Sequence, residues 1–380
     1  DGGHEERSAS YHLIILDRLV ELACVLISVK GIHPLWLYKA IKEMSRWCTA
    51  IRLTGGLTPR FNDSPADAAP PLDEVMEFAN AYLNQRTVNP ESVAVDQFGG
   101  GVRQKLLQDA FADKTPSQTQ AIPTPEQMPG DITDLPSTGW TLIRPNNGWE
   151  LIFKCGIPCP NHLPPHVHSD QLSFELYYLG NQVIVEAGTS VYEEGIARSY
   201  ERSGAAHNVL QLGEASASGV IQWIEPVEVW NSFRAGRKAR PVHRCCGTLA
   251  NGGYFAEGSH DGYERHGASH QRRIELSDAN HEQIQLDLID TVTTKRRFAF
   301  QVWWHLAPQI SDKFLKKLQL NAPTALTIKS EWAKTWLATG FGQRRSRSSY
   351  YIQGMLPPGH HQIRSRLSIP ATLLHKSEID

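Results

Sequence analysis

Three ionisable side chains, His166, His168 and Asp170, recur at every second residue in the run His166-Val-His-Ser-Asp-Gln-Leu-Ser-Phe-Glu-Leu176. In an extended segment that spacing puts all three on one side. Pro164 and Pro165, just upstream, favour extended backbone. A row of this kind is costly to bury without partners, so it reads as metal or catalytic chemistry, with a hydrogen-bonded surface patch as the alternative. Two further groups lie downstream. Glu186 ends the apolar run Val183-Ile184-Val185 and precedes Ala187-Gly188, a position suited to facing a cleft. His207 precedes another apolar run. Together His168, Glu186 and His207 offer imidazole, carboxylate and imidazole, a ligand set for Zn2+. Their separations of 18 and 21 residues fit ligands from neighbouring strands. Calcium would call for more oxygen ligands. The pair Tyr11-His12, taken on spacing alone, reads as packing and capping at a helix start.

The elements that must position these groups change character along the chain. Leu13, Leu16, Val20 and Ala23 repeat at helical spacing, as do Leu35, Ala40, Met44 and Trp47. They predict helices over 11–30 and 34–54, punctuated by Gly31 and Pro34, with another over 73–84. A proline-rich stretch at 115–138 reads as a linker. Beyond it the period becomes two. Hairpins are expected over 142–153, around Pro145-Asn-Asn-Gly148, and over 172–187, turning at Leu179-Gly-Asn-Gln182. Further strands are expected at 208–212, 220–230, 240–246, 253–258, 271–277, 284–292, 298–305, 324–330 and 348–353. So many short antiparallel candidates point to a sandwich rather than a parallel sheet. The basic run Gln343-Arg-Arg-Ser-Arg347 reads as a solvated turn.

Bulk composition bounds the partners. With 380 residues, 41% apolar and 21% charged, the chain is long enough for two or more cores and is expected to fold. A net charge of -2 gives no global attraction to nucleic acid or to anionic lipid, though a local basic groove for an acidic sugar stays open. Leu13 to Val29 is interrupted by Asp17, Arg18 and Glu21, so it reads as a buried amphipathic helix rather than a membrane span. The six cysteines, Cys24, Cys48, Cys155, Cys159, Cys245 and Cys246, form no dense pattern. They read as isolated thiols or one local disulfide ahead of a Cys-based metal site.

Several of these runs together resemble the heparinase II/III-like family of polysaccharide lyases. They are Asp1-Gly-Gly-His-Glu-Glu-Arg-Ser-Ala-Ser-Tyr-His12, His166 to Leu176, Val185-Glu-Ala-Gly-Thr-Ser-Val-Tyr192, Arg202-Ser-Gly-Ala-Ala-His-Asn208, Glu228 to Arg240, and His260-Asp-Gly-Tyr263. The resemblance runs from residue 1 to about 305 in an unchanged order. It implies an α+β multidomain chain, a partial α/α toroid followed by a large antiparallel β-sandwich. The corresponding segments are 1–114 for the toroid helices, 115–138 for the linker and 139–380 for the sandwich. It implies β-elimination on a uronic-acid polysaccharide, with an acidic polysaccharide or oligosaccharide as partner. By position, Tyr11 corresponds to the catalytic tyrosine and His166 to the histidine that reaches the active site. His168, Glu186 and His207 correspond to ligands of a structural Zn2+. Arg7, His12, Arg198 and Arg202 are candidates for substrate contact, and Arg234 and Arg237 are further candidates for a polyanion. Trp140, Trp149, Trp223 and Trp230 serve either sugar stacking or the core. A periplasmic or secreted location is implied.

Two departures stand out. The acidic ligand is normally Asp, and Glu186 moves its carboxylate by roughly 1 Å. The family's carboxylate-neutralising Asn, or His/Glu pair, lies upstream of the tyrosine. With Tyr11 only ten residues from the start, that group is expected outside this sequence. A non-catalytic carbohydrate-binding or scaffold protein and a zinc-dependent hydrolase are the competing readings.

Overall fold

Ser8 starts the first helix, α1 (Ala9–Lys30), by accepting a hydrogen bond from the Tyr11 amide at 3.2 Å. Gly31 closes it in the left-handed region, at φ 62°. Between these ends Leu13, Leu16, Val20, Ala23 and Ile27 form one buried stripe. The stripe packs against α2 (Leu35–Ile51), α3 (Leu72–Leu83) and α4 (Gly100–Phe111). A buried ion pair of 2.9 Å between Arg103 and Asp17 ties α4 to α1. Helix α4 was not expected, because its Gly-Gly start and mixed charges hide its apolar positions Leu107, Ala110 and Phe111.

The computed structural model describes residues 1–84, 100–111, 131–280, 283–310, 318–321 and 326–370. Most of the expected linker lies outside them. Its last residues, however, form β1 (Ile132–Leu135), so the sheets begin earlier than the sequence suggested. β1 pairs in order with β2 (Trp140–Ile143), β3 (Trp149–Lys154), β4 (Phe174–Tyr178) and β5 (Asn181–Ile184) in a five-stranded antiparallel sheet. The β4–β5 turn needs positive φ at both Leu179 (46°) and Gly180 (79°).

A short helix, α5 (Ile196–Arg202), leads to β6 (Leu210–Ala215) and β7 (Ile221–Trp223). β8 (Val227–Asn231) and β9 (Arg234–Lys238) form a separate ribbon. A six-stranded sheet orders β10 (Pro241–Thr248), β11 (Tyr254–His260), β12 (Ala268–Asn280), β13 (Gln283–Thr294), β18 (Gly359–Pro370) and β15 (Leu318–Asn321). A five-stranded sheet orders β16 (Ile328–Gly340), β17 (Gln343–Leu356), β14 (Phe298–His305), β6 and β7.

The chain is thus mostly antiparallel sheet with a few helices at its start. Gln343 to Arg347 is the opening of β17 rather than a solvated turn. Arg347 is buried and donates to the Val185 carbonyl at 2.7 Å. One apolar core runs from the helices through the sheets. Its seam is aromatic: Trp140 of β2 lies 5.4 Å from Trp47 of α2 and 5.3 Å from Phe61. Trp140 and Trp149 are core residues, whereas Trp230 is 69% exposed. Among the described residues, no helix is long and apolar enough to cross a membrane.

Candidate functional site at the seam of helices and sheets

Tyr11 sits in the first turn of α1 and is half-buried. His166 lies in the loop before β4, more than 150 positions along the chain. The fold brings their rings to 4.1 Å between centroids. Tyr192, in the loop after β5, places its hydroxyl 2.8 Å from that of Tyr11 and its ring 5.8 Å from His166. Phe233 and Phe341 border Tyr192 edge-on at 5.5 and 5.0 Å. Burial pushes the Tyr11 hydroxyl above its ordinary value, against the opposing hydrogen bond from Tyr192. Tyr11 therefore rests protonated at neutral pH.

Behind His166 stands a residue that motif reading passed over. Asp63 follows Asn62, which occupies the left-handed region at φ 57°, a conformation that Asn tolerates. Asn62 is held there by its own amide: Nδ2 donates to the carbonyls of Glu6, Arg7 and Pro158, and Oδ1 accepts from Lys154 at 2.8 Å. Asp63 is fully buried. One carboxylate oxygen accepts from His166 Nδ1 at 3.0 Å; the other accepts from His168 Nε2 at 2.8 Å and Thr189 at 2.9 Å. Arg198 clamps both oxygens, at 2.5 and 2.6 Å. Burial alone would raise the carboxyl's pKa; the Arg198 clamp and the two imidazoles outweigh it and hold Asp63 ionised, well below the usual carboxylate range. With Nδ1 donating to a carboxylate, the Nε2 of His166 carries the free lone pair.

The expected metal set is brought together in part. Glu186 and His207 are fully buried and in direct contact, Nδ1 to Oε2. The third ligand atom within 4.8 Å of both comes from Asp170, which also takes an ion pair from Lys154 at 2.5 Å. His168 stands beside His207 at 5.3 Å between rings, but its Nε2 is committed to Asp63. Two buried nitrogens, His168 Nδ1 and His207 Nε2, have no hydrogen-bond partner among the described residues. Unpaired buried imidazole nitrogens are costly and are the atoms that a borderline cation binds, so this donor set fits a zinc-class ion.

Three of the substrate-contact candidates are engaged with groups of the protein itself. His12 is buried against Trp47 at 4.2 Å, accepts from the His4 amide and bonds the Met44 carbonyl, so it packs and does not face the cleft. Arg202 is spent on the carbonyls of Val167, Asn231 and Arg234. Arg198 is committed to Asp63 and the Ser232 carbonyl, although its guanidinium also lies 5.1 Å over the Tyr192 ring. Arg7 bonds the carbonyls of Glu5 and Ser137 at the rim.

Residues 127–368 match the family model described as Heparinase II/III-like, C-terminal. The chain belongs to the heparinase II/III-like family. A crystal structure of heparinase III shares 14% identity with it, covering 97% of this chain and 55% of that one, at a TM-score of 0.63. The heparan sulfate lyase HepC from Pedobacter heparinus shares 16% identity, covering 98% and 53%, at 0.60. A heparinase III gene product shares 15%, covering 97% and 53%, at 0.64. These likenesses carry the fold. The chain spans about half the length of the solved structures it matches. No curated protein sequence matches it. The heparinase II/III-like match covers the sheets, including β1, and the shared fold extends through α1 to α4.

Proposed function

We propose that this chain is the carboxyl-terminal portion of a polysaccharide lyase that cleaves a uronic-acid polysaccharide by β-elimination. In this reading its helices end an α/α toroid, and its sheets form the β-sandwich that closes the substrate cleft. The observation that carries it is the 4.1 Å pairing of Tyr11 with His166, backed by Asp63.

Elimination removes the C5 proton beside the uronate carboxylate and expels O4. His166 Nε2, with Nδ1–H anchored on Asp63, is the base; Asp63 stabilises the imidazolium formed. Tyr11, protonated at rest, donates to the leaving O4 and is reprotonated through Tyr192. Two groups side by side serve a substrate whose C5 proton and O4 lie on one face. The guanidiniums of Arg198 and Arg202 are spent internally. Neither is therefore the cation that neutralises the substrate carboxylate in this mechanism.

His168, Glu186 and His207 would hold the zinc, with Asp170 beside them. A zinc there would supply structural cross-linking between the β4 approach, the end of β5 and the β6 approach. All three residues are fully buried, so no substrate could reach a metal at this position, which disfavours the hydrolase reading. The acidic polysaccharide partner and a periplasmic or secreted location follow from the same reading.

The test uses the protein that carries this chain, offered heparan-type, alginate-type and other uronate polymers. Unsaturated uronate product, followed by its ultraviolet absorbance, is expected with at least one. Tyr11→Phe and His166→Ala should each lower the rate by about 10²-fold or more with the fold intact. Saccharide binding without product, unchanged in both variants, would instead mark a non-catalytic carbohydrate-binding protein. The buried cluster is expected to hold about one zinc per chain, read as the loss of about one equivalent by elemental analysis in His207→Ala.

A further inference from the structure

A second cluster of ligand-type side chains stands on the outer surface, on the opposite hand of β10 from the core. His243 and Cys245 are two residues apart on β10 and so share a face. Glu257 of β11 is the direct cross-strand partner of Cys245. His243 Nε2 lies 3.0 Å from Glu257 Oε1 and 3.4 Å from the Cys245 thiol, which lies 3.8 Å from the same carboxylate oxygen. Three ligand atoms of three different kinds thus converge within 4.8 Å. Neighbouring Cys246 points the other way and packs against the core.

We propose that His243, Cys245 and Glu257 form a solvent-open binding site for a zinc-class divalent cation, separate from the buried cluster. Three protein ligands of the N, S and O kinds leave a fourth tetrahedral position for water. Thiol and imidazole select a borderline ion and reject calcium and magnesium. Arg273 holds Glu257 through its other oxygen, Oε2, at 3.4 Å, and pairs with Glu275 at 2.7 Å. It therefore fixes the carboxylate without occupying the position between the three ligand atoms. Its charge offsets part of the negative charge that the thiolate and carboxylate bring to the ion. Side-chain exposure of 49% at His243 gives an ion direct entry from solvent. Binding releases the thiol proton to solvent, with no redox change.

The test is a Co2+ titration of the reduced, chelator-treated full chain. Thiolate ligation gives a near-ultraviolet charge-transfer band that the buried cluster, which has no cysteine, cannot produce. The expected result is a band that saturates with one equivalent beyond any that the buried cluster takes up, bleached by Zn2+, absent in Cys245→Ser and retained in Cys246→Ser. His243→Ala, at an exposed position that tolerates it, should weaken binding by about tenfold or more. A wild-type chain without the band, or a band that survives Cys245→Ser, overturns the proposal.

Discussion

Asp63 organises the site at the residue scale. It faces a guanidinium, two imidazoles and a hydroxyl at once, and is fully buried while doing so. Removing its charge strands Arg198 in a dry environment. Asp63→Asn should therefore lower stability by about 3 kcal/mol or more, read by denaturant unfolding. If the chain acts as the proposed lyase, the same change should lower elimination by about 10²-fold, because the His166 tautomer loses its anchor. A stable variant with an unchanged rate would remove Asp63 from the mechanism. Little of this was legible beforehand. Phe61-Asn-Asp-Ser64 reads as an ordinary loop, and the only clue was an Asn suited to positive φ ahead of an acid. Tyr11, His166 and the buried histidines were legible because their residue types and order match a family pattern. His12 and Arg202 share that pattern's neighbourhood, yet burial, which no spacing reveals, assigns them to packing.

At the scale of elements, the first sheet depends on one close approach. Gly139 ends the β1–β2 turn at φ 80°, and a Cβ there would come within 2.3 Å of the Gly156 Cα. Both the backbone conformation and the missing space exclude a side chain. Gly139→Ala should cost more than about 1 kcal/mol, measured as a lowered unfolding midpoint. The strand pattern from β2 to β14 was largely readable, since Leu, Ile, Val, Phe and Trp alternate with polar residues there. β9, Arg234–Lys238, was missed because it contains no strong strand former. In β18 the signal existed: Ile363, Leu367 and Ile369 are buried on one face, but the Arg and Ser residues between them masked it. In β17 the basic opening hid a strand whose Arg347 turns inward.

Across the whole molecule, buried neutral histidines, His12 and His260 among them, contribute to the acid limit of the fold. Burial pushes His12 down to about 3, against the Met44 carbonyl's opposing hydrogen bond. Burial, joined by the charges of His270 and Arg272, pushes His260 down to about 3. Their unfolded value is about 6.5. Between about 6.5 and about 3 the unfolded chain binds protons that the folded chain refuses. Stability is fully present above that window and falls as pH drops through it. Thermal midpoints measured at about pH 7, above the window, and at about pH 5 and 4, within it, should decline in that order; a flat profile would contradict the burial of these rings. The Asn62–Asp63 loop carries a further consequence. It belongs by sequence to the helical portion but is wired into Lys154, His166, His168 and Arg198 of the sheet portion. A chimera that grafts these sheets onto another relative's helices must keep those two positions with the sheets, because the boundary of inheritance does not coincide with the boundary of architecture.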